Sequence, residues 1–237
     1  MLKKLSLYIL ACLLVISCKK EVKPQTFETG GIDRSFDADI EVSYDTANNK
    51  SDVAKKINAI VQSEILKSIP NHEDKNSVNE ALEAFNAEYI EFSKQFEENK
   101  QKWTLAIETE VIYQANEVIT MGLSVYTDTG GAHGNDSIEL LNFNPSNGEL
   151  YSQNELFSDL NEFKKLAETY FKDHVKNEGK NISEFFFGKP FQLPENIGFN
   201  DEGVILLYNT YEIASYNQGY TEFVIPIEKA EEFLEVY

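Results

Sequence analysis

Two hydrophobic periods alternate along this chain. Residues 35–45 place Phe36, Ala38, Ile40, Val42 and Tyr44 at every second position, the pattern of a half-buried strand. Residues 52–69 then set Val53, Ile57, Ile60, Val61, Ile65 and Ile69 on one helical stripe, with Pro70 beyond it as a stop. A second helix starts at Ser77, which forms a capping-box pattern with Glu80, and Val78, Leu82, Phe85, Tyr89, Phe92 and Phe96 follow at spacings of four and three. That seam is too short for a coiled coil, which needs about three or four heptads, so it is expected to pack on the protein's own sheet. Glu83, Glu88, Glu91, Glu97 and Glu98 form its solvated face.

Period two returns at Trp103, Leu105, Ile107, Val111 and Tyr113, and again at Ile119, Met121, Leu123 and Val125; a turn at Ala115–Asn116 makes the pair a hairpin. A Gly-rich turn at 130–134 leads to a third strand around 137–143, closed by the Pro145-Ser146-Asn147-Gly148 turn. Leu156, Leu160, Phe163, Ala167, Tyr170 and His174 mark another helix, with a break near Ser158–Asp159 where Asp159 and Glu162 form a capping pair. Residues 182–196 read as a Phe- and Pro-containing loop, 204–209 and 220–227 as strands, and 228–234 as a short terminal helix. This order predicts an α+β fold of antiparallel sheets with helices packed on them, in two closely associated subdomains, 32–144 and 145–237.

The N-terminus changes the picture from fold to address. Lys3 and Lys4 precede an apolar run from Leu5 to Ile16, too short for a bilayer span of about 20 residues, and Val15-Ile16-Ser17-Cys18 resembles a lipoprotein cleavage box. Residues 1–17 are therefore read as a signal peptide and Cys18 as an acylated first residue of the palmitate-bearing type. Residues 18–31 are read as a flexible tether, with Pro24 and a terminal Gly pair. The expected location is the bacterial cell envelope, membrane-anchored and facing the periplasm or the exterior. Cys12 leaves with the signal and Cys18 takes the lipid, so no cysteine remains for a disulfide or metal.

Charge narrows the partners. The chain holds 21 basic and 40 acidic residues, net −19, and loss of Lys3 and Lys4 brings this to −21. Such a surface repels nucleic acid and attracts cations, and Arg34 is the only arginine available for phosphate recognition. His72, His133 and His174 are too widely spaced in sequence for a metal motif; no nucleophile elbow, P-loop or dinucleotide fingerprint occurs. No catalytic residue, metal or cofactor is assigned.

Two segments stand out as candidate ligand-binding chemistry. Asp128, Gly130, Gly131, His133, Asn135 and Asp136 gather an imidazole, two carboxylates and exposed backbone N–H groups in one turn. Turn chemistry alone also accounts for the glycines, with His133 packed against the sheet. Tyr211, Tyr216 and Tyr220, in a run that includes Tyr208, suit a binding surface, although aromatic strand residues more often pack at the edge of a core.

The motifs YTDTGGAHGN at 126–135, Asn147-Gly148 with Leu156-Phe157, YEIASYNQG at 211–219 and Phe223-Val224-Ile225-Pro226 resemble the paired extracellular domains of unknown function in PdaC-type deacetylases and RsiV-type anti-sigma factors. Ser215 stands where the family pattern has Pro. The resemblance implies no deacetylase or sigma-binding activity, since the segments that carry those are missing from these residues. It does imply a receptor-like role: in the RsiV type the matching region binds lysozyme, a cationic protein. The expectation is a non-enzymatic envelope module binding a cationic protein or a cell-wall glycan such as peptidoglycan. The alternative is a polysaccharide hydrolase centred on His133 with Asp128 and Asp136.

Overall fold

The computed structural model describes residues 23–96, 98 and 101–236. The signal segment, Cys18 and the first residues of the tether lie outside the described residues. No described helix is long and apolar enough to cross a membrane.

Strand β1 (Phe27–Gly31) pairs antiparallel with β2 (Asp39–Ala47), Phe27 facing Ala47 and Gly31 facing Ser43. The expectation of a tether running to Gly31 is corrected here, because the chain is already ordered at its end. The Gln114 side chain accepts from the Gln25 N–H at 3.0 Å and donates to the Gln25 carbonyl at 3.1 Å. One side-chain amide thus pairs with that backbone as a neighbouring strand would, and Gln25 is buried.

Helices α1 (Asp52–Ser68) and α2 (Val78–Gln95) follow, capped by the Ser51 and Ser77 hydroxyls on the N–H groups of Ala54 and Glu80. Strand β3 (Thr104–Gln114) then runs parallel to β2, from Asp39 opposite Thr104 to Ser43 opposite Glu108. This corrects the expectation of purely antiparallel sheets. The helix pair between β2 and β3 forms the long crossover that parallel neighbours require. Strands β4 (Ile119–Asp128) and β5 (Asn135–Phe143) complete a mixed sheet in the order β1-β2-β3-β4-β5. Ile57, Val61, Ile65, Leu82 and Phe85 bury against Leu105, Ile107, Met121 and Leu123. The aromatic seam of α2 fades outward: Phe85, Tyr89 and Phe92 surround Trp103 at 5.3–6.1 Å, and Phe96 is exposed.

The second half builds a core of its own. The helical pattern breaks into α3 (Gln153–Leu156) and α4 (Leu160–Asn177), with the Asp159 carboxylate accepting from the Glu162 N–H at 3.0 Å. The buried stripe is Phe163, Ala167, Phe171 and Val175, with Tyr170 and His174 on its flank. The end of the expected loop, Asn196, begins a further strand, β6 (Asn196–Asn200), which joins β7 (Gly203–Tyr208) and β8 (Thr221–Pro226) in an antiparallel sheet. Helix α5 (Ile227–Ala230) runs on into a 3-10 turn at Glu231–Phe233. Phe171 sits within 5.1–6.0 Å of Phe185, Phe186, Phe191, Tyr208 and Phe223.

The two halves meet along β5, the free edge of the larger sheet. The Asn209 amide accepts from the Ile138 N–H and donates to the Ile138 carbonyl, both at 2.8 Å. Asn196 accepts from the Leu140 N–H at 2.9 Å, and Asn142 donates to the Ile197 carbonyl at 2.7 Å. Gly198 is needed at this seam, since a Cβ there would fall 2.8 Å from Thr120 Cγ2. Amides from one half thereby satisfy strand groups that an edge would leave to solvent or to another chain.

This arrangement gives the body two ends. At one lie Gln25, the β3–β4 turn and the β6–β7 turn, around a cavity of about 580 Å³ lined in part by Lys23, Pro24, Val118 and Phe199. At the other lie the β4–β5 loop and the segment between β7 and β8. Ten residues of β4 separate them, about 30 Å at strand rise.

Candidate functional site

The far end brings together the two segments that the sequence singled out. His133, which is exposed, stacks on the Tyr216 ring with centroids 3.9 Å apart and planes 22° apart. Its Nδ1 lies 2.8 Å from the Gly134 carbonyl; a carbonyl only accepts, so Nδ1 carries the proton of the neutral ring. Nε2 is left as an acceptor 3.4 Å from the Tyr211 hydroxyl, a long bond. Tyr211 and Tyr216 lie 5.6 Å apart, so three rings form one exposed cluster. His133 is not packed against the sheet; its neighbours come from the other half of the chain.

The two carboxylates are engaged elsewhere. Asp128 accepts from the Gly130 N–H at 2.8 Å and from the Gln101 amide at 3.1 Å, closing the loop on itself. Gly130 adopts φ +82°, which explains the glycine. Asp136 accepts from Tyr220, and burial together with that hydrogen bond pushes the Tyr220 phenol far above its usual range. Among the described residues, neither Asp128 nor Asp136 is hydrogen-bonded to His133, the pairing an acid–base centre on that imidazole would use.

Gly131 and Asn135 line an open cleft of about 460 Å³ between the sheet and the turn after α1. Helix α1 ends at Ser68, so the inner face of the sheet continues uncovered, and its side chains change there from Leu123 and Val125 to Thr127, Thr129, Asn135 and Ser137. His72 lines the opposite wall, its Nδ1 2.8 Å from the Ile69 carbonyl. No group of three or more His, Cys, Asp or Glu side chains among the described residues is disposed to hold a metal. Sequence reasoning passed over His72 and also Tyr126, whose ring lies over the loop: a Cβ on Gly134 would fall 2.3 Å from its hydroxyl. Thr127 near the end of β4 and Thr129 just past it, two residues apart, are the sequence signal that could have marked the cleft floor.

Positioning of the tyrosine segment falls to Asn209 and Glu212. Besides its hold on Ile138, Asn209 donates its N–H to Glu212 at 2.8 Å, and Glu212 also accepts from the Glu195 N–H at 2.9 Å. Burial raises the Glu212 carboxyl above its ordinary value despite these two donors. Tyr208 is wholly buried and donates to the Gln192 carbonyl at 2.6 Å, so it belongs to the core.

The fold and its pairing of halves define an α+β module of a kind known by sequence but not by function. Residues 33–136 match the family described as deacetylase PdaC, and residues 151–228 match the protein family of unknown function DUF3298. The likeness read in the sequence to these paired domains thus holds in both halves. No curated protein matches the chain. Among solved structures, a DUF3298 family member from Bacteroides fragilis is 19% identical, covering 89% of this chain and 94% of its own, with a TM-score of 0.68. A DUF3298 family protein from Pseudomonas aeruginosa is 21% identical over 90% of this chain and 96% of its own, with a TM-score of 0.65. At these identities the likeness carries the fold.

Proposed function

We propose that this chain is a lipid-anchored, non-enzymatic binding module of the bacterial cell envelope, which takes a cationic protein at the end that carries His133. The observation that carries this is the meeting of His133 with Tyr211 and Tyr216, about eighty residues apart in sequence, in one exposed aromatic cluster. Net charge −19 supplies long-range attraction for a basic partner. Engagement of Asp128 and Asp136 by the loop and by Tyr220 weighs against the hydrolase alternative. The lysozyme-binding role of the RsiV type agrees with this reading. A glycan is the second reading, favoured by the hydroxyl- and amide-lined cleft beside His133.

The test titrates the mature chain, held in detergent micelles, with lysozyme and with peptidoglycan fragments at low and high salt. Lysozyme binding is expected to weaken at least tenfold across the series, because exposed charges are screened over about 10 Å at 0.1 M salt. His133→Ala and Tyr216→Ala should weaken it further. Lysozyme binding indifferent to salt overturns the electrostatic reading; binding of fragments alone puts the glycan in its place; product release from polysaccharide restores the hydrolase. Retention of a Cys18→Ala variant in the membrane fraction contradicts the anchor.

A further inference from the structure

Among the described residues, four other than glycine adopt left-handed backbone: Asn71, Phe186, Phe187 and Tyr211. Asn tolerates that region, whereas bulky aromatic residues hold it against their own sterics. Phe186 has a compensation in the fold, since it is buried with its ring 5.1 Å from Phe171 and 5.4 Å from Phe191. Phe187, at φ 51° and ψ 40°, has none of that kind: it is 63% exposed, the highest among the exposed large apolar side chains of the described residues. Tyr211, at φ 72°, is 52% exposed. Backbone strain at a side chain turned outward serves no packing purpose, and such strain concentrates at functional surfaces.

The two strained residues sit on neighbouring segments. The Phe186 N–H donates to the Ile213 carbonyl at 2.6 Å, and the Gln218 amide donates to Glu184 at 2.6 Å, so residues 182–188 are laced along 211–218. Ile182 and Tyr216, both exposed, extend the same edge.

We infer that Phe187 and Tyr211 are the anchor side chains of a protein-docking surface whose partner presents an apolar pocket ringed by basic residues. The partner's chemistry rests on the cationic-protein reading above. Glu184 lies within this edge and Lys189 borders it, so the attraction for a basic partner comes from the whole chain, at net −19. A second copy of the chain would bring like charge against like. The membrane of the proposed anchor lies toward the opposite end, where Gln25 is clasped. Aromatic anchors of this kind dominate protein interfaces when a pocket desolvates them.

The test replaces each anchor with the residue that suits left-handed backbone, Phe187→Asn and Tyr211→Asn, in the mature chain in detergent micelles, with Ile112→Asn as a control at an exposed apolar position outside this edge. Melting temperature is expected to hold or rise by a few degrees in both anchor variants. Lysozyme affinity at low salt is expected to fall at least tenfold in them and to stay level in the control. A melting temperature lowered by more than a few degrees shows that the rings support the fold and overturns the inference. Unchanged lysozyme affinity, or an equal loss in Ile112→Asn, overturns it while leaving the proposed function standing. A wild-type chain that does not bind lysozyme overturns both.

Discussion

Replacing Asn209 by Ala removes the amide that pairs with Ile138 across the junction of the two halves, and its cost follows from the geometry. Two hydrogen bonds of 2.8 Å disappear, leaving a strand N–H and carbonyl at half-buried positions with no replacement. Each bond is worth roughly 0.5–1.5 kcal/mol net, and the upper part of that range applies where water reaches the freed groups poorly. The sum is about 2 kcal/mol, close to a 30-fold fall in the folded-to-unfolded ratio. For a body of this size that corresponds to a melting temperature lower by about 4–8 °C. Asn209→Asp is the sharper variant: it keeps the acceptor for the Ile138 N–H but sets an oxygen against the Ile138 carbonyl, so it should be the worse of the two at neutral pH. Urea unfolding of both variants beside the wild type measures this. A loss below about 0.5 kcal/mol for Ala, within the range of an unremarkable surface change, would refute the idea that one amide stands in for a strand.

Gly203, at φ +153°, would place a Cβ 2.1 Å from the Ile225 carbonyl oxygen, so Gly203→Ala should cost about 3 kcal/mol or more in a denaturation series; a neutral result would mean that the β6–β7 hairpin has another turn available. Phe171→Ala opens the centre of the six-ring cluster and should lose about 3–5 kcal/mol by the same measurement, with a smaller loss showing that the neighbouring rings collapse into the space. Glu212 has a raised carboxyl pKa in the fold, so the folded state binds its proton more tightly than the unfolded chain does. Its contribution is greatest below the ordinary glutamate value of 4.5 and is lost as pH rises through the raised value. Wild-type stability relative to Glu212→Gln should therefore improve as pH falls from 7 toward 4.5, and a flat difference contradicts the sign.

The elements whose side chains face a core on one side were legible: the α1 stripe, the Ser77 and Asp159 caps and the β3–β4–β5 meander all follow from period and capping chemistry. What escaped was set by partners distant in sequence. Strand β6 is short and follows a proline-containing loop, so alternation had little length to show itself, and its place depends on pairing with β7. The β1 residues, Phe-Glu-Thr-Gly-Gly, carry a single large apolar side chain, and their order comes from β2 and from the Gln114 amide. The parallel β2–β3 pairing was not legible because a long helical crossover permits parallel neighbours without fixing the direction in which the chain returns. At the candidate site the residue types were visible in both segments, but their contact was not, since His133 and Tyr216 meet only because Asn209 fixes the tyrosine segment to β5.

The clasp of Gln114 on Gln25 sets an elevation. Seven residues join Cys18 to that clasp, a span of at most about 25 Å when extended, and the strand length beyond it adds about 30 Å. On the anchor proposed above, the aromatic cluster works in a layer up to about 55 Å above the bilayer. Shortening the tether would lower that ceiling residue by residue without altering the cluster, whereas loss of the clasp would let the body tilt and sweep its aromatic end back toward the lipid.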